Sequence, residues 1–439
     1  MSENTVKVRV PGRVWRTAWL GGMASWIDAG VLVSSGVAFT FYIEALGLTA
    51  WDIGALSALI TAGLAVGALV GGPLGDRFGR KRVFSIDLLV LIVGLALLTF
   101  APSVGFLYAG AVVTGLAMGA DLPVSLALVA EETPEQFRGR MVGFSQILWG
   151  CGTIGVIVLS NVVTFSGMSL ELGARIIFGH LLVIAAITWL LRQTLPESRE
   201  WVASTASIPT QTTPGHAVQT GLRALKGFWP AVIALALFYA IGNIANNTGG
   251  QFSFFIITQV GGASPQVATL VLTGFIPLGL ITGFIFIRFA DTKYRIPVFV
   301  FGGILTVAGM WIAAASGLSL VPYIAGLFIG AFGSGLGGEA LFKVWTQEKF
   351  PTRSRATAQG LGIFICRGAA AIVAVFTPAL AAANATALYW GLGVLNLVSL
   401  LIGFFWVRRL RDVRMLRDQA DEDAFGVTEA HATAPTTVA

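Results

Sequence analysis

The chain has 439 residues, of which 55% are hydrophobic and 11% charged. Soluble domains carry about 25% charged residues, so a water-soluble enzyme is excluded and the expected solvent is lipid. The formal net charge of +6 does not point to nucleic acid, because apart from Arg175, Lys343 and Arg367 the 28 Lys and Arg lie in the termini or in and beside every second loop. That distribution follows the positive-inside rule and places both termini in the cytoplasm of a multi-pass cell-membrane protein.

The first segment is polar and cationic up to Arg16, and no small-residue cleavage site follows the first apolar run, which reads as a permanent span. Twelve apolar stretches are each long enough for a hydrocarbon core of about 30 Å, where only helices satisfy their backbones at this segment length. The first six run from about Ala18 to Ile43, Trp51 to Gly71, Val83 to Ala101, Val104 to Ala130, Met141 to Thr164 and Gly173 to Leu195. Between residues 196 and 226 the composition turns to Ser, Thr, Pro and Gln, and this is the expected cytoplasmic linker. Six more stretches follow: about Phe228 to Thr258, Pro265 to Phe289, Ile296 to Gly317, Leu320 to Thr346, Ala356 to Ala381 and Thr386 to Val407. The expected organisation is an N-terminal six-helix bundle over 1–195, the linker, a C-terminal six-helix bundle over 227–408 and a disordered cytoplasmic tail over 409–439. Cys151 and Cys366 lie in separate apolar runs, with no disulfide framework and no metal-ligand spacing.

The loop after the second span, Gly72-Pro73-Leu74-Gly75-Asp76-Arg77-Phe78-Gly79-Arg80-Lys81-Arg82, is an island of charge and glycine between apolar runs. A shift of 215 residues places Asp76 on Asp291 and Arg80 on Arg295, and a shift of 217 places Glu131 on Glu348, Pro134 on Pro351 and Arg138 on Arg355. Charged and proline positions at such fixed offsets mark two copies of one six-helix unit. The opening loop resembles the signature between helices two and three of the major facilitator superfamily, with every signature position filled. Glu131-x-x-Pro134-x-x-x-Arg138-Gly139 and Pro196-Glu197-Ser198-Arg199-Glu200-Trp201 are similar to inner-loop markers of its sugar-porter branch, although the second Pro of the latter is absent. The resemblance implies an all-α membrane fold of twelve helices in two pseudo-symmetric bundles, with the substrate site between them. It also implies a cytoplasmic latch between the halves, with Gly72, Asp76, Arg77, Gly79, Arg80, Glu131, Arg138, Glu197, Glu348 and Arg355 as gating residues. Because the loop Phe289-Ala290-Asp291-Thr292-Lys293-Tyr294-Arg295 has lost its glycines, the two inner gates are expected to be unequal in strength.

Ionisable groups deep in a bilayer are costly unless paired or facing water, so they mark function. Asp28, Asp121, Glu339 and Arg367 are the ones read as lying well inside a span. The sugar-porter branch has a proton-coupling Asp in helix one, which the resemblance carries to Asp28. Its usual partner, an Arg early in helix four, is replaced here by Ala111, and Arg367 is the expected substitute. Asp121, in Gly119-Ala120-Asp121-Leu122-Pro123-Val124, is more like the bacterial inositol and organic-solute carriers. Asp121 and Glu339 join Asp28 as proton-coupling candidates, although Lys343 stands four residues after Glu339 and is positioned to pair with it. Asn243, Asn246, Asn247 and Gln251 form one polar stripe of neutral amides suited to hydroxyl groups. With Gln146, Trp149 and Arg367 they are the substrate-binding candidates. No metal, cofactor or catalytic set is expected, and the chain is read as no enzyme and as a monomer.

The expected function is a proton-coupled symporter that imports a small polyhydroxylated solute, a sugar or inositol, by alternating access. A central Arg367 leaves open a proton-coupled carrier of organic anions or aromatic acids, and the fold leaves open a drug or metabolite exporter.

Overall fold

A computed structural model describes residues 11–195, 197, 225–290, 292–317, 319–350 and 352–410. Among these residues every long element is helical. In the first half they are α1 (Gly12–Phe41), the short α2 (Ile43–Leu46), α3 (Ala50–Phe78), α4 (Arg80–Thr99), α5 (Val104–Glu131), α6 (Glu135–Phe165) and α7 (Leu170–Arg192). The second half holds α8 (Trp229–Phe255), α9 (Pro265–Phe289), α10 (Arg295–Ala315), α11 (Leu320–Gly335), α12 (Gly338–Lys349) and α13 (Thr352–Leu401). Eleven stretches among the described residues are long and apolar enough to cross a membrane, and the last, Ala358–Arg409, is two expected spans in one. The helix breaks between them at Asn384, whose φ of −161° and ψ of 85° are non-helical and whose Oδ1 accepts from the Ala387 amide at 2.9 Å. The chain is thus a twelve-span, all-helical membrane protein. Large apolar side chains such as Phe284, Ile287 and Val321 stand exposed on its outside, as a lipid solvent requires.

Two departures from the expected spans matter for the site. The charged loop expected between the second and third spans, residues 72–82, is almost entirely helical: α3 continues to Phe78, α4 restarts at Arg80, and Gly79 alone breaks the path. Its φ of 99° lies where a Cβ is strained, which is why a glycine sits there. The tenth span is broken between α11 and α12, where Gly338 has a φ of 47° and Gly337 precedes it with φ −150° and ψ −103°. Glu339 consequently opens the first turn of α12 instead of standing mid-helix.

Within the first half α3 packs on α5, α1 on α6, and α4 on α5 and α7; within the second, α8 and α10 pack on α13, and α10 on α11. The halves meet where α1 touches α8, α3 touches α13 and α6 touches α9. These contacts gather at the face away from the charged loops. Gln251 Nε2 donates to Ser35 Oγ at 2.9 Å, Asn161 Nδ2 to Thr273 Oγ1 at 2.9 Å, and Gln266 Nε2 to the Thr164 carbonyl at 2.8 Å. Phe41 meets Phe254 edge-on at 5.3 Å and Trp51 meets Phe376 at 5.6 Å. A β-carbon at Gly36 would stand 1.8 Å from the Gln251 carbonyl oxygen, and one at Gly54 2.3 Å from that of Val375, so the backbones touch directly along this seam. At the charged-loop face the described ion pairs instead join residues of the same half: Arg13 with Glu132, Arg80 with Glu131, and Arg295 with Glu348.

Candidate functional site

The break between α11 and α12 opens a cavity of about 410 Å³, within the range of small-molecule sites. Its polar lining comes from four spans of the second half, with Asn243 and Asn246 on α8, Thr306 on α10, Ser334 and Glu339 around the break, and Asn396 on α13. Tyr239 and Phe238 supply aromatic walls, the former stacked on Phe342 at 4.3 Å with 10° between the planes. The small residues Gly333, Gly335, Gly337 and Gly338 leave the space open. Asn243 Oδ1 is buried and has no hydrogen-bond partner among the described residues, so it is an acceptor free to receive a donor in the cavity. Glu339 pairs with Lys343 at 2.8 Å, as the i, i+4 spacing anticipates, yet its side chain remains 44% exposed to the cavity. Tyr239, also in the cavity wall, acts electrostatically on the same carboxylate.

From the first half, Trp149 on α6 also lines this cavity. Its indole Nε1 donates to Asp28 Oδ2 at 3.2 Å, which ties a carboxylate that is 3% exposed to the wall of the cavity. Asp28 Oδ1 is buried with no partner among the described residues. Arg367 acts electrostatically on Asp28, Glu339 and Tyr239 together, but no ion pair joins it to Asp28 among the described residues. The expected one-to-one partnership is instead a cation set between two acids.

The amide stripe on α8 divides in two. At about 100° per residue, Asn246 and Gln251 are about 140° apart around the helix. Asn243 and Asn246 therefore face the cavity, whereas Asn247 Nδ2 donates to Gln251 Oε1 at 2.9 Å and Gln251 reaches across the seam to Ser35. Among the cavity residues, Asn396, Thr306, Ser334 and Tyr239 escaped the sequence reading. Asn396 carried a signal, being the lone amide in the apolar run of the last span; the hydroxyls carried none, since Ser and Thr are common in membrane helices.

Asp121 is placed away from the cavity. Its Oδ1 accepts from Arg192 Nη1 at 2.8 Å and from Ser125 Oγ at 2.6 Å, with both charged side chains at most 2% exposed. Arg192 and the neighbouring Asp87 were not singled out from the sequence because both stand near span ends, where a headgroup contact is the default. The signal was the length of Asp87, too short a side chain to snorkel. Of the gating candidates, Arg80 pairs with Glu131 at 3.1 Å and Arg295 with Glu348 at 2.6 Å, the same pair in each half at the offsets 215 and 217 (295 − 80 and 348 − 131). Glu197 Oε1 accepts from the Lys81 amide at 2.9 Å. Gly72 lies within α3, and the side chains of Asp76, Arg77, Arg138, Gln146 and Arg355 lie outside the described residues.

The Major Facilitator Superfamily model matches residues 18–375. The chain is 36% identical to the minor myo-inositol transporter IolF of Bacillus subtilis (strain 168) over 366 residues, 81% of this chain and 82% of that one. It is 34% identical over 144 residues to the niacin transporter NiaP of Acinetobacter baylyi (strain ATCC 33305 / BD413 / ADP1), covering 33% of this chain and 32% of that one. In structure it superposes on a D-xylose-proton symporter with a TM-score of 0.74 at 18% identity, covering 89% of this chain and 97% of that one. With a family model over most of its length and a full-length relative at this identity, the chain belongs to the Major Facilitator Superfamily.

Proposed function

We propose that the protein is a proton-coupled importer of a small polyhydroxylated solute, a cyclic polyol such as inositol or a sugar. The observation that carries this reading is a single cavity in which neutral amides and hydroxyls from four spans converge beside Trp149, the side chain that holds Asp28. Amides and hydroxyls both donate and accept, which matches a ligand whose every edge is a hydroxyl. The free oxygen of Asn243 is one waiting acceptor. Solute resting on the Trp149 ring and a proton on Asp28 are read by one side chain, so occupancy of either site affects the other. The similarity to IolF over most of both chains supports the polyol class, and the likeness to the xylose symporter supports the fold that carries it.

With the charged loops in the cytoplasm, the closed seam is on the outer side and the cavity belongs to an inward-facing state. Ligand binding to the purified protein tests the substrate class, because a ligand that binds the folded state raises the melting temperature. Myo-inositol or a sugar raises Tm, and Asn243→Ala removes most of that rise. A protein stabilised by none of them overturns the polyol reading.

The second reading, a carrier of carboxylates, rests on Arg367 and on the local similarity to the niacin transporter. The field of Arg367 is already opposed by Asp28 and Glu339, which weakens its pull on an anion. Under this reading nicotinate raises Tm and Arg367→Gln abolishes the effect.

A further inference from the structure

Arg192 faces two buried carboxylates, Asp87 on α4 and Asp121 on α5. Its own hydrogen-bonding capacity is largely committed. Nη1 donates to Asp121 at 2.8 Å, Nε to the Leu20 carbonyl at 3.1 Å and Nη2 to Ser125 Oγ at 3.4 Å, while the guanidinium carbon lies 3.6 Å above the Phe84 ring. Asp121 is thus neutralised. Asp87 is 6% exposed, and neither of its oxygens has a hydrogen-bond partner among the described residues. Two acids and one base leave one negative charge without an owner, and an unpaired buried charge costs several kcal/mol.

We propose that Asp87 is a second proton-binding carboxylate, separate from Asp28 and from the substrate cavity, which holds a proton in this conformation. The helices packed against α4 are α5, α7 and α3. From α5 the facing group is Asp121 and from α7 it is Arg192. On α3 the nearest charges in sequence are Asp76 and Arg77, whose side chains lie outside the described residues. The site lies directly under the charged-loop layer built by the same three helices and the segment after α7. Asp87 is seven residues, about two turns, from Arg80, which pairs with Glu131 at the end of α5. Gln193, next to Arg192, accepts from Lys81 Nζ through its carbonyl at 3.1 Å. Loss of the proton creates a second carboxylate that competes with Asp121 for Arg192 and so pulls on all three helices below that layer. Proton occupancy at Asp87 thereby sets how firmly this face of the first half is held.

The test is infrared difference spectroscopy of the full-length protein in lipid after a pH jump, in a background of Asp28→Asn so that the buried carboxylate held by Trp149 is silent. The readout needs no substrate and is independent of the proposed cargo. The expected result is a carboxylic-acid C=O band that titrates with pH, disappears in Asp28→Asn/Asp87→Asn, and reappears at a shifted frequency in Asp28→Asn/Asp87→Glu. Retention of the same band in the Asp87→Asn double variant overturns the proposal. So does a band that responds to added sodium at fixed pH, which assigns the site to a metal cation, or the absence of any titrating acid band in both the Asp28→Asn and the Glu variant.

Discussion

Gly36→Ala perturbs the seam on which the closed outer face depends. The added Cβ would stand 1.8 Å from the Gln251 carbonyl oxygen and 2.9 Å from its carbonyl carbon. Cβ contacts under 3.0 Å are essentially not seen, so α1 and α8 must separate locally by at least about 1.2 Å (3.0 − 1.8). The obstacle is backbone, which cannot rotate aside as a side chain can. Overpacking of this kind costs about 1–3 kcal/mol. Only the conformation with the seam closed bears that cost, so the balance shifts toward the seam-open state by about 5- to 150-fold. The assay is the distance between spin labels at Ser103 and Gln259, two exposed positions at that face in different halves, on a Cys151→Ser/Cys366→Ser background. Gly36→Ala adds a longer distance population, whereas Gly249→Ala, with nothing within 4 Å of the new Cβ, leaves the distribution unchanged. An unaltered distribution in folded Gly36→Ala refutes the reasoning.

Three further outcomes concern the cavity and the buried pair in the first half. Asn243→Ala removes the buried unpaired acceptor of the cavity, and with a hydrogen bond worth about 0.5–1.5 kcal/mol it weakens polyol binding by up to about tenfold, read by calorimetric titration. Trp149→Phe keeps a ring in the cavity wall and deletes the donor to Asp28, so exchange of labelled solute at fixed pH persists while the pH profile of transport moves. Arg192→Met leaves Asp121 buried without its partner and costs about 3–5 kcal/mol of stability, visible as a large fall in Tm; a fall no greater than that of a surface substitution contradicts the buried pair.

Much of this architecture is legible in the residues alone, for physical reasons that also explain the gaps. Hydrocarbon thickness and the alternation of basic loops determine span number and order, and the gapless offsets to Asp291, Glu348 and Arg355 expose the repeat. Helix continuity is less legible. Nothing in apolar periodicity says that α3 runs on to Phe78, or that the tenth span breaks at Gly337 and Gly338 and so brings Glu339 to the cavity wall. For the site, Asp28 and Trp149 were both singled out, but their bond was not, because residues 121 positions apart meet only through the packing of α1 on α6. The split of the α8 stripe is implicit in 3.6-residue periodicity and becomes visible only once a second surface, the seam at Ser35, takes one side of it. Asp87 and Arg192 show the limit of judging depth by distance from a span end, since both are buried by neighbouring helices within reach of the headgroups.

The central claim, a proton on Asp28 driving a polyol through the cavity beside Trp149, is tested most directly by uptake of labelled myo-inositol into proteoliposomes with an imposed pH gradient, acid outside. The account predicts accumulation above the external concentration by the parent protein, and in Asp28→Asn equilibration and exchange with no accumulation. Full uphill accumulation by Asp28→Asn, or uptake by the parent that ignores the gradient, contradicts it.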